Sequence, residues 1–289
     1  MRVEFEKAQH QGSRKEQQDA YGIYEMNELS SHYGLLAVLA DGMGGMAMGK
    51  ECAEKAVTSF FNSYCKKSED EAIPEALERS INECNKSVYD MSDSVGLGQE
   101  AGSTLVASVI YKRFLYWVSV GDSHIYLYRN NILKQVNKDH NLRTRLESLA
   151  ASGQISLSDI DNGHNPEALT SYIGIKDLSE IDLSDSPLFL RSGDIVLLCS
   201  DGLYKTIDES QITEILSSNI KGMADELINN VMEKKNPYQD NITVLLLKFK
   251  GEPETILVKN THKKNEIETK DKTKNNILTN IFKKITKHQ

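Results

Sequence analysis

The chain has 289 residues, 39% hydrophobic and 26% charged, with 5 Pro and 18 Gly, a composition that excludes collagen-like and wholly disordered classes and allows a large buried core. Its 4 Cys (Cys52, Cys65, Cys84, Cys199) make no CxxC pair, which argues against a disulfide scaffold or a Cys-rich zinc site and for reduced thiols in a cytoplasmic protein. The net charge of −8 is uneven: from Lys259 to Gln289 nine Lys face three acids, a balance of +6 that leaves −14 on the remainder, and an acidic body argues against a nucleic-acid partner.

The opening stretch MRVEFEKAQHQGSRKEQQD lacks the apolar segment of a secretory signal, and no run approaches the roughly 20 apolar residues of a membrane span. A soluble intracellular chain is expected. In chain order, Ala20–Met26 and Tyr33–Ala40 read as strands. Ala53, Ala56, Val57, Phe60, Phe61 and Tyr64 then form one helical stripe, and Leu77, Ile81, Cys84, Val88 and Met91 a second. Strands follow over Ser103–Tyr111, Phe114–Val120, His124–Arg129 and Ile132–Val136, with Asn130-Asn131 as a hairpin turn inside an antiparallel meander. Asn141–Tyr172 is polar and weakly periodic, and reads as an insertion. A strand over Asp194–Cys199 precedes two late helices (Ile212, Ile215, Leu216, then Leu227, Ile228, Val231) and a last strand, Ile242–Phe249. Helices that come in pairs between groups of strands favour antiparallel sheets covered by helices over a doubly wound parallel sheet. From about Gly251 onward Lys, Asn and Thr dominate, so the compact domain is expected to span 1–250 and a tail 251–289.

The carboxylates carry the chemistry. Asp41 closes the run GLLAVLA and Asp201 closes IVLLCS, each followed by Gly; Asp122 follows FLYWVSVG, and Asp240 stands just before ITVLLLKF. If the last strand runs antiparallel to the first two, Asp41, Asp201 and Asp240 converge at one sheet edge. Converging carboxylates repel one another and lose hydration unless cations neutralise them, and an all-oxygen set selects Mg²⁺ or Mn²⁺ over Zn²⁺. The alternative for each alone is turn chemistry, which favours Asp and Gly. Arg14, in GSRKEQQD, is a candidate phosphate clamp, weighed against an ordinary solvated charge.

Two nucleotide motifs nearly match. Gly42 to Ala47 fits GxGxxA, but Asp41 points charge at a pyrophosphate; Gly44 to Lys50 fits GxxxxGK, but Glu51 replaces the hydroxyl residue that holds Mg²⁺. No Cys is followed six positions later by Arg, and GxSxG and HExxH are absent. His140 and His164 read as packing or surface residues.

In order, Arg14–Asp19 (RKEQQD), Asp41–Gly45 (DGMGG), Gly102–Leu105 (GSTL), Gly121–His124 (GDSH), Asp139-His140, Leu169–Gly174 (LTSYIG), Ser200–Leu203 (SDGL) and Asp240-Asn241 resemble the metal-dependent protein phosphatases of the type-2C family, in their compact bacterial form. The resemblance runs from about Phe5 to Phe249. It implies an α+β fold, a four-layer αββα sandwich of two antiparallel sheets flanked by helices, with 141–172 as a flap beside the active site. It implies two Mn²⁺ or Mg²⁺ ions bridged by Asp41, one of them also on the Gly42 carbonyl, the other completed by Asp201 and Asp240. A third, weaker ion would sit between Asp122 and Asp201. Arg14 would hold the substrate phosphate and Asp19 would orient the attacking water.

The resemblance therefore implies hydrolysis of phosphoserine and phosphothreonine in proteins by a metal-bridging hydroxide, opposing a Ser/Thr kinase. Several residues depart from the family pattern. Gln17 replaces an Asn, Gln18 a metal-contacting Glu of many eukaryotic members, Met43 a His proposed there as general acid, and His124 a common Arg. The alternatives are a pseudophosphatase acting as a binding or sensory module, motivated by Gln17 and Gln18, and a nucleotide-binding enzyme. For the tail, a disordered extension competes with an amphipathic helix over Asn275–Lys287 that touches an anionic membrane or a partner protein.

Overall fold

The computed structural model describes residues 2–25, 32–43, 48–98, 100–156, 165–184, 186–218 and 221–251. In chain order the elements are β1 (Arg2–His10), β2 (Asp19–Glu25), β3 (Leu35–Asp41), α1 (Gly49–Tyr64), α2 (Ile73–Asp93), β4 (Leu105–Tyr111), β5 (Phe114–Val120), β6 (His124–Arg129), β7 (Ile132–Gln135), α3 (Leu142–Ala151), β8 (Asp182–Leu183), β9 (Leu188–Phe189), β10 (Ile195–Cys199), α4 (Asp201–Tyr204), α5 (Glu209–Ser217), α6 (Met223–Glu233) and β11 (Ile242–Lys250). One sheet has the order β1-β11-β10-β6-β7, the other β2-β3-β4-β5-β8, with β9 also on β5. The strand pairs are antiparallel throughout.

The two-residue period of the strands builds the layers. On β3, Leu36, Val38 and Ala40 pack against Phe60, Leu77 and Ile81 of α1 and α2. The alternate residues Leu35, Ala37 and Leu39 meet Val196, Leu198, Leu245 and Leu247 from the other sheet. On that sheet's far face, Leu197, Cys199, Val244 and Leu246 pack against Ile212, Leu216, Leu227 and Val231 of α5 and α6. A strand buried on both faces reads as a continuous apolar run, which is why LLAVLA, IVLLC and ITVLLL stand out in the sequence. The result is the expected αββα sandwich.

Local signals set several boundaries. Asn130 and Asn131 both take positive φ, 52° and 60°, the conformation of a two-residue hairpin turn. Asp208 caps α5 by accepting from the Gln211 amide at 2.9 Å, and Asn141 caps α3 by accepting from the Thr144 amide at 2.9 Å. The 141–172 insertion thus begins with a helix, and none of the α3 residues is buried. β1 was not anticipated: RVEFEKAQH has few apolar residues because it is an edge strand, paired along its length to β11 alone. The tail expectations, helix included, lie outside the described residues, as do His164 and residues 44–47 of the Gly-rich turn.

Candidate active site

The C-terminal end of β3 and the start of β2 lie side by side, so Asp41 and Asp19 are direct register partners. Asp41 is held by its backbone: its N–H donates to Thr104 Oγ1 at 3.0 Å, and its carbonyl accepts from the Thr104 amide and the Ser103 hydroxyl, both at 2.8 Å. Asp19 is reached from the opposite sheet. Its Oδ2 accepts from Ser200 Oγ at 2.9 Å and Thr243 Oγ1 at 2.7 Å, whereas its buried Oδ1 receives no hydrogen bond.

Asp201 follows β10 as the first residue of α4, and Asp240 precedes β11, which runs antiparallel to β10. Both therefore belong to one sheet and Asp41 to the other. The expectation of a single sheet edge is corrected: the acids meet across the mouth between two sheets. Close backbone approach makes this meeting possible. A Cβ on Gly202 would lie 2.1 Å from the Asn241 carbonyl oxygen, and one on Gly42 2.2 Å from the Gly49 carbonyl oxygen.

Asn241 joins the remaining loop to this mouth. Its Oδ1 accepts from the Gln18 amide at 2.8 Å, and its Nδ2 donates to the carbonyls of Gln11 at 2.8 Å and Glu16 at 3.0 Å. Arg14 lies inside that loop, and its Nη2 donates to Asp240 Oδ2 at 2.6 Å. On the other side, Lys205 Nζ donates to Asp201 Oδ2 at 2.7 Å and Asp122 Oδ2 at 3.4 Å. The Tyr204 hydroxyl donates to the Asp122 carbonyl at 2.9 Å.

The electrostatics follow from this crowding. Burial, then the charges of Asp19, Asp201, Asp122 and Asp240, push the Asp41 carboxyl far above the ordinary carboxylate range. Burial also raises Asp19, partly offset by its Thr243 and Ser200 bonds. Asp122 is raised by burial too. Burial opposes the charge on Lys205, but Asp201 and Asp122 outweigh it and raise the ammonium above its usual value. Arg14 is raised chiefly by its bond to Asp240.

A hard divalent cation fits the Asp41, Asp201 and Asp240 set. The donors are all oxygen, the partly buried Asp41 carboxyl carries unrelieved repulsion, and Asp19 leaves a buried oxygen without a donor. Among the described residues no three acidic, His or Cys side chains stand together so as to hold an ion without rearrangement. Arg14 instead holds Asp240, and Lys205 holds Asp201. At the third expected position, between Asp122 and Asp201, the Lys205 ammonium lies 3.4 Å from the one carboxylate and 2.7 Å from the other.

A family model described as Protein phosphatase 2C matches residues 7–241. The chain belongs to the protein phosphatase 2C family. Within this family, the serine/threonine phosphatase stp of Listeria monocytogenes is 32% identical over 239 residues, 81% of this chain and 90% of that one. The solved serine/threonine phosphatase of S. agalactiae superposes with a TM-score of 0.72 at 25% identity, over 86% of this chain and 100% of that chain. The catalytic domain of the phosphatase PstP, solved in complex with 2 manganese ions, shares the fold at 23% identity and a TM-score of 0.66, over 86% of this chain and 99% of that one.

The departures of this 2C-family chain have local accounts. Gln17 accepts from the Asp19 amide through Oε1 at 3.0 Å, so it anchors the turn before β2. Gln18 lies against Gly49 at the start of α1. The Met43 methyl fills the space beside Gly102. His124 is buried, stacked on Tyr204 at 3.7 Å and bonded to Tyr126 and Asp139. His140 is a packing residue, as expected: its Nδ1 accepts from the Gly121 amide at 3.1 Å, and burial lowers its pKa. Ser200, Thr243, Asn241 and Lys205 were missed as parts of the site. The only signal for Lys205 was its i,i+4 spacing from Asp201 on a short helix.

Proposed function

We propose that this chain hydrolyses phosphoserine and phosphothreonine in proteins, using two Mn²⁺ or Mg²⁺ ions held by Asp41, the Gly42 carbonyl, Asp201 and Asp240. The observation that carries this reading is the ring of acids around the partly buried Asp41, with Arg14 at its rim. Such ions, when bound, make water a competent nucleophile at neutral pH and offset charge on the phosphoryl oxygens.

The chain's own residues do the rest. Arg14 is about half exposed, and its guanidinium has five N–H donors, of which Asp240 takes one. It binds the phosphoryl oxygens as a planar fork and neutralises their charge, with no covalent intermediate. Asp19 orients the attacking water; its Oδ2 is fixed by Ser200 and Thr243, and Oδ1 is left to accept. Met43 has no exchangeable proton, so the leaving seryl or threonyl oxygen takes its proton from water or from another residue.

Residues 1–250 form the catalytic unit in this reading, and 141–172 is its substrate-facing flap. Support for the flap comes from its anchors: the Thr170 amide donates to the His140 carbonyl, and Leu142 to Ala168, both at 2.9 Å. The partners are phosphoproteins and the Ser/Thr kinase that supplies them. A cytoplasmic location is supported by free cysteines; among the described residues no helix is long and apolar enough to cross a membrane. The test is an assay of the full chain on phosphoserine and phosphothreonine peptides with Mn²⁺, Mg²⁺ or EDTA. Metal-dependent release of phosphate is expected, and turnover that persists in EDTA overturns the reading.

A further inference from the structure

Asp122 and Asp201 approach each other from different elements, one after β5 and the other at the start of α4. Between them lies a charge that the chain supplies itself. Lys205, one turn beyond Asp201, has its amide bonded to the Asp201 carbonyl at 3.0 Å. Its Nζ is 2.7 Å from Asp201 Oδ2 and 3.4 Å from Asp122 Oδ2. The neighbouring Tyr204 adds a neutral donor, its hydroxyl lying 2.9 Å from the Asp122 carbonyl oxygen and 3.3 Å from Oδ2. Tyr204 is itself fixed, stacked on the buried His124, which is bonded to Tyr126 at 2.8 Å and to Asp139 at 3.1 Å.

We propose that the Lys205 ammonium is the resident cation between Asp122 and Asp201, so that this chain binds two divalent ions where a third would otherwise join. The inference rests on reading Asp41, Asp201 and Asp240 as a metal centre. Three physical reasons support it. An ammonium tethered one helical turn away competes at the high effective concentration of an intramolecular ligand, which a dissolved ion must outbid. An ion entering beside it meets like charge at short range in a partly buried site. Finally, Lys205 bonds Oδ2 of Asp201, and Oδ1 remains for the two-ion centre.

Lys205 is accordingly a positioning residue: it fixes the Asp201 carboxylate and satisfies Asp122 without the water-filled coordination shell a Mg²⁺ or Mn²⁺ ion would retain. The experiment is to count bound Mn²⁺ by electron paramagnetic resonance on the full chain, with circular dichroism to verify folding. The wild type is expected to bind two ions, and Asp122→Asn in the wild-type background to leave that number unchanged. Lys205→Gln is expected to gain a third, weaker ion, which Lys205→Gln combined with Asp122→Asn loses again; Lys205→Arg keeps two. Three ions in the wild type, with one lost on Asp122→Asn, overturns the proposal even if the Lys205 variants fail to fold. A folded Lys205→Gln chain that still binds two also overturns it. No bound Mn²⁺ in any protein would instead remove the metal-centre reading, and this inference with it.

Discussion

Asp19 and Asp41 stand opposite one another across β2 and β3 as a register pair, two carboxyls where a sheet ordinarily pairs apolar or oppositely charged residues. Like charges in that position destabilise a sheet, and here Asp19 is buried and Asp41 partly so, both with raised pKa values. On the proposed reading, the fold tolerates the cost at a place where a bound cation offsets it.

Asp41→Asn separates that cost from function. The amide removes the cost of burying that acid among other carboxylates, met in the metal-free protein by taking up a proton, so the metal-free variant is expected to melt higher, by about 3 °C if about 1 kcal/mol of that cost is relieved. Turnover of a phosphothreonine peptide should fall by about 10³-fold or more, since the variant loses the central ligand. Calorimetry without metal and a phosphate-release assay check the two halves, and a lower melting temperature would contradict the repulsion account.

Mn²⁺ affinity should depend on pH in a definite direction. A raised carboxyl pKa means the metal-free native state holds protons that an ion must displace, so affinity weakens as pH falls from about 7 to about 5. Because the native state binds those protons more tightly than the unfolded chain does, their contribution to metal-free stability falls as pH rises through the same range. Titration calorimetry in two buffers of different ionisation enthalpy measures the released protons; identical heats would mean the acids are already ionised.

Asn241→Ala should loosen the loop that carries Arg14. Three hydrogen bonds to Gln18, Gln11 and Glu16 are lost, at about 1 kcal/mol each. The expected result is a destabilisation of about 2–3 kcal/mol in urea unfolding, with KM for a phosphopeptide raised about tenfold. An unchanged KM would show that Arg14 is positioned by Asp240 alone.

Gly202→Ala tests the close approach of two strands' ends. The added Cβ would fall 2.1 Å from a backbone oxygen of Asn241, which cannot rotate away as a side chain would. The turn after β10 must move from the start of β11, carrying Asp201 away from Asp240. Stability should drop by about 1–3 kcal/mol, and Mn²⁺ binding should weaken with it. Retained affinity at reduced stability would mean the two acids need no such proximity.

Much of this was legible in the chain itself. Doubly buried strands appear as unbroken apolar runs and α2 as one apolar stripe, because burial on two faces or on one leaves those patterns in the residues. The site acids were legible for a related reason: turn chemistry accounts for one Asp at the end of such a run, but not for several that share the placement, as Asp41 and Asp201 do. β1 was hidden because an edge strand exposed to water keeps few apolar residues, and β8 and β9 because two residues carry no period.

Taken alone, the sequence determined the layered class, the family and the identity of the acids, since composition, periodicity and motif order are all properties of the chain. Tertiary structure decided which sheet each acid comes from and which cations they meet. Asp19 takes its hydrogen bonds from Ser200 and Thr243, 181 and 224 residues away, and Asp122 is joined by Lys205, 83 residues on. Such partnerships are fixed by strand register and by the packing of one sheet on another, and no local pattern in the chain encodes them.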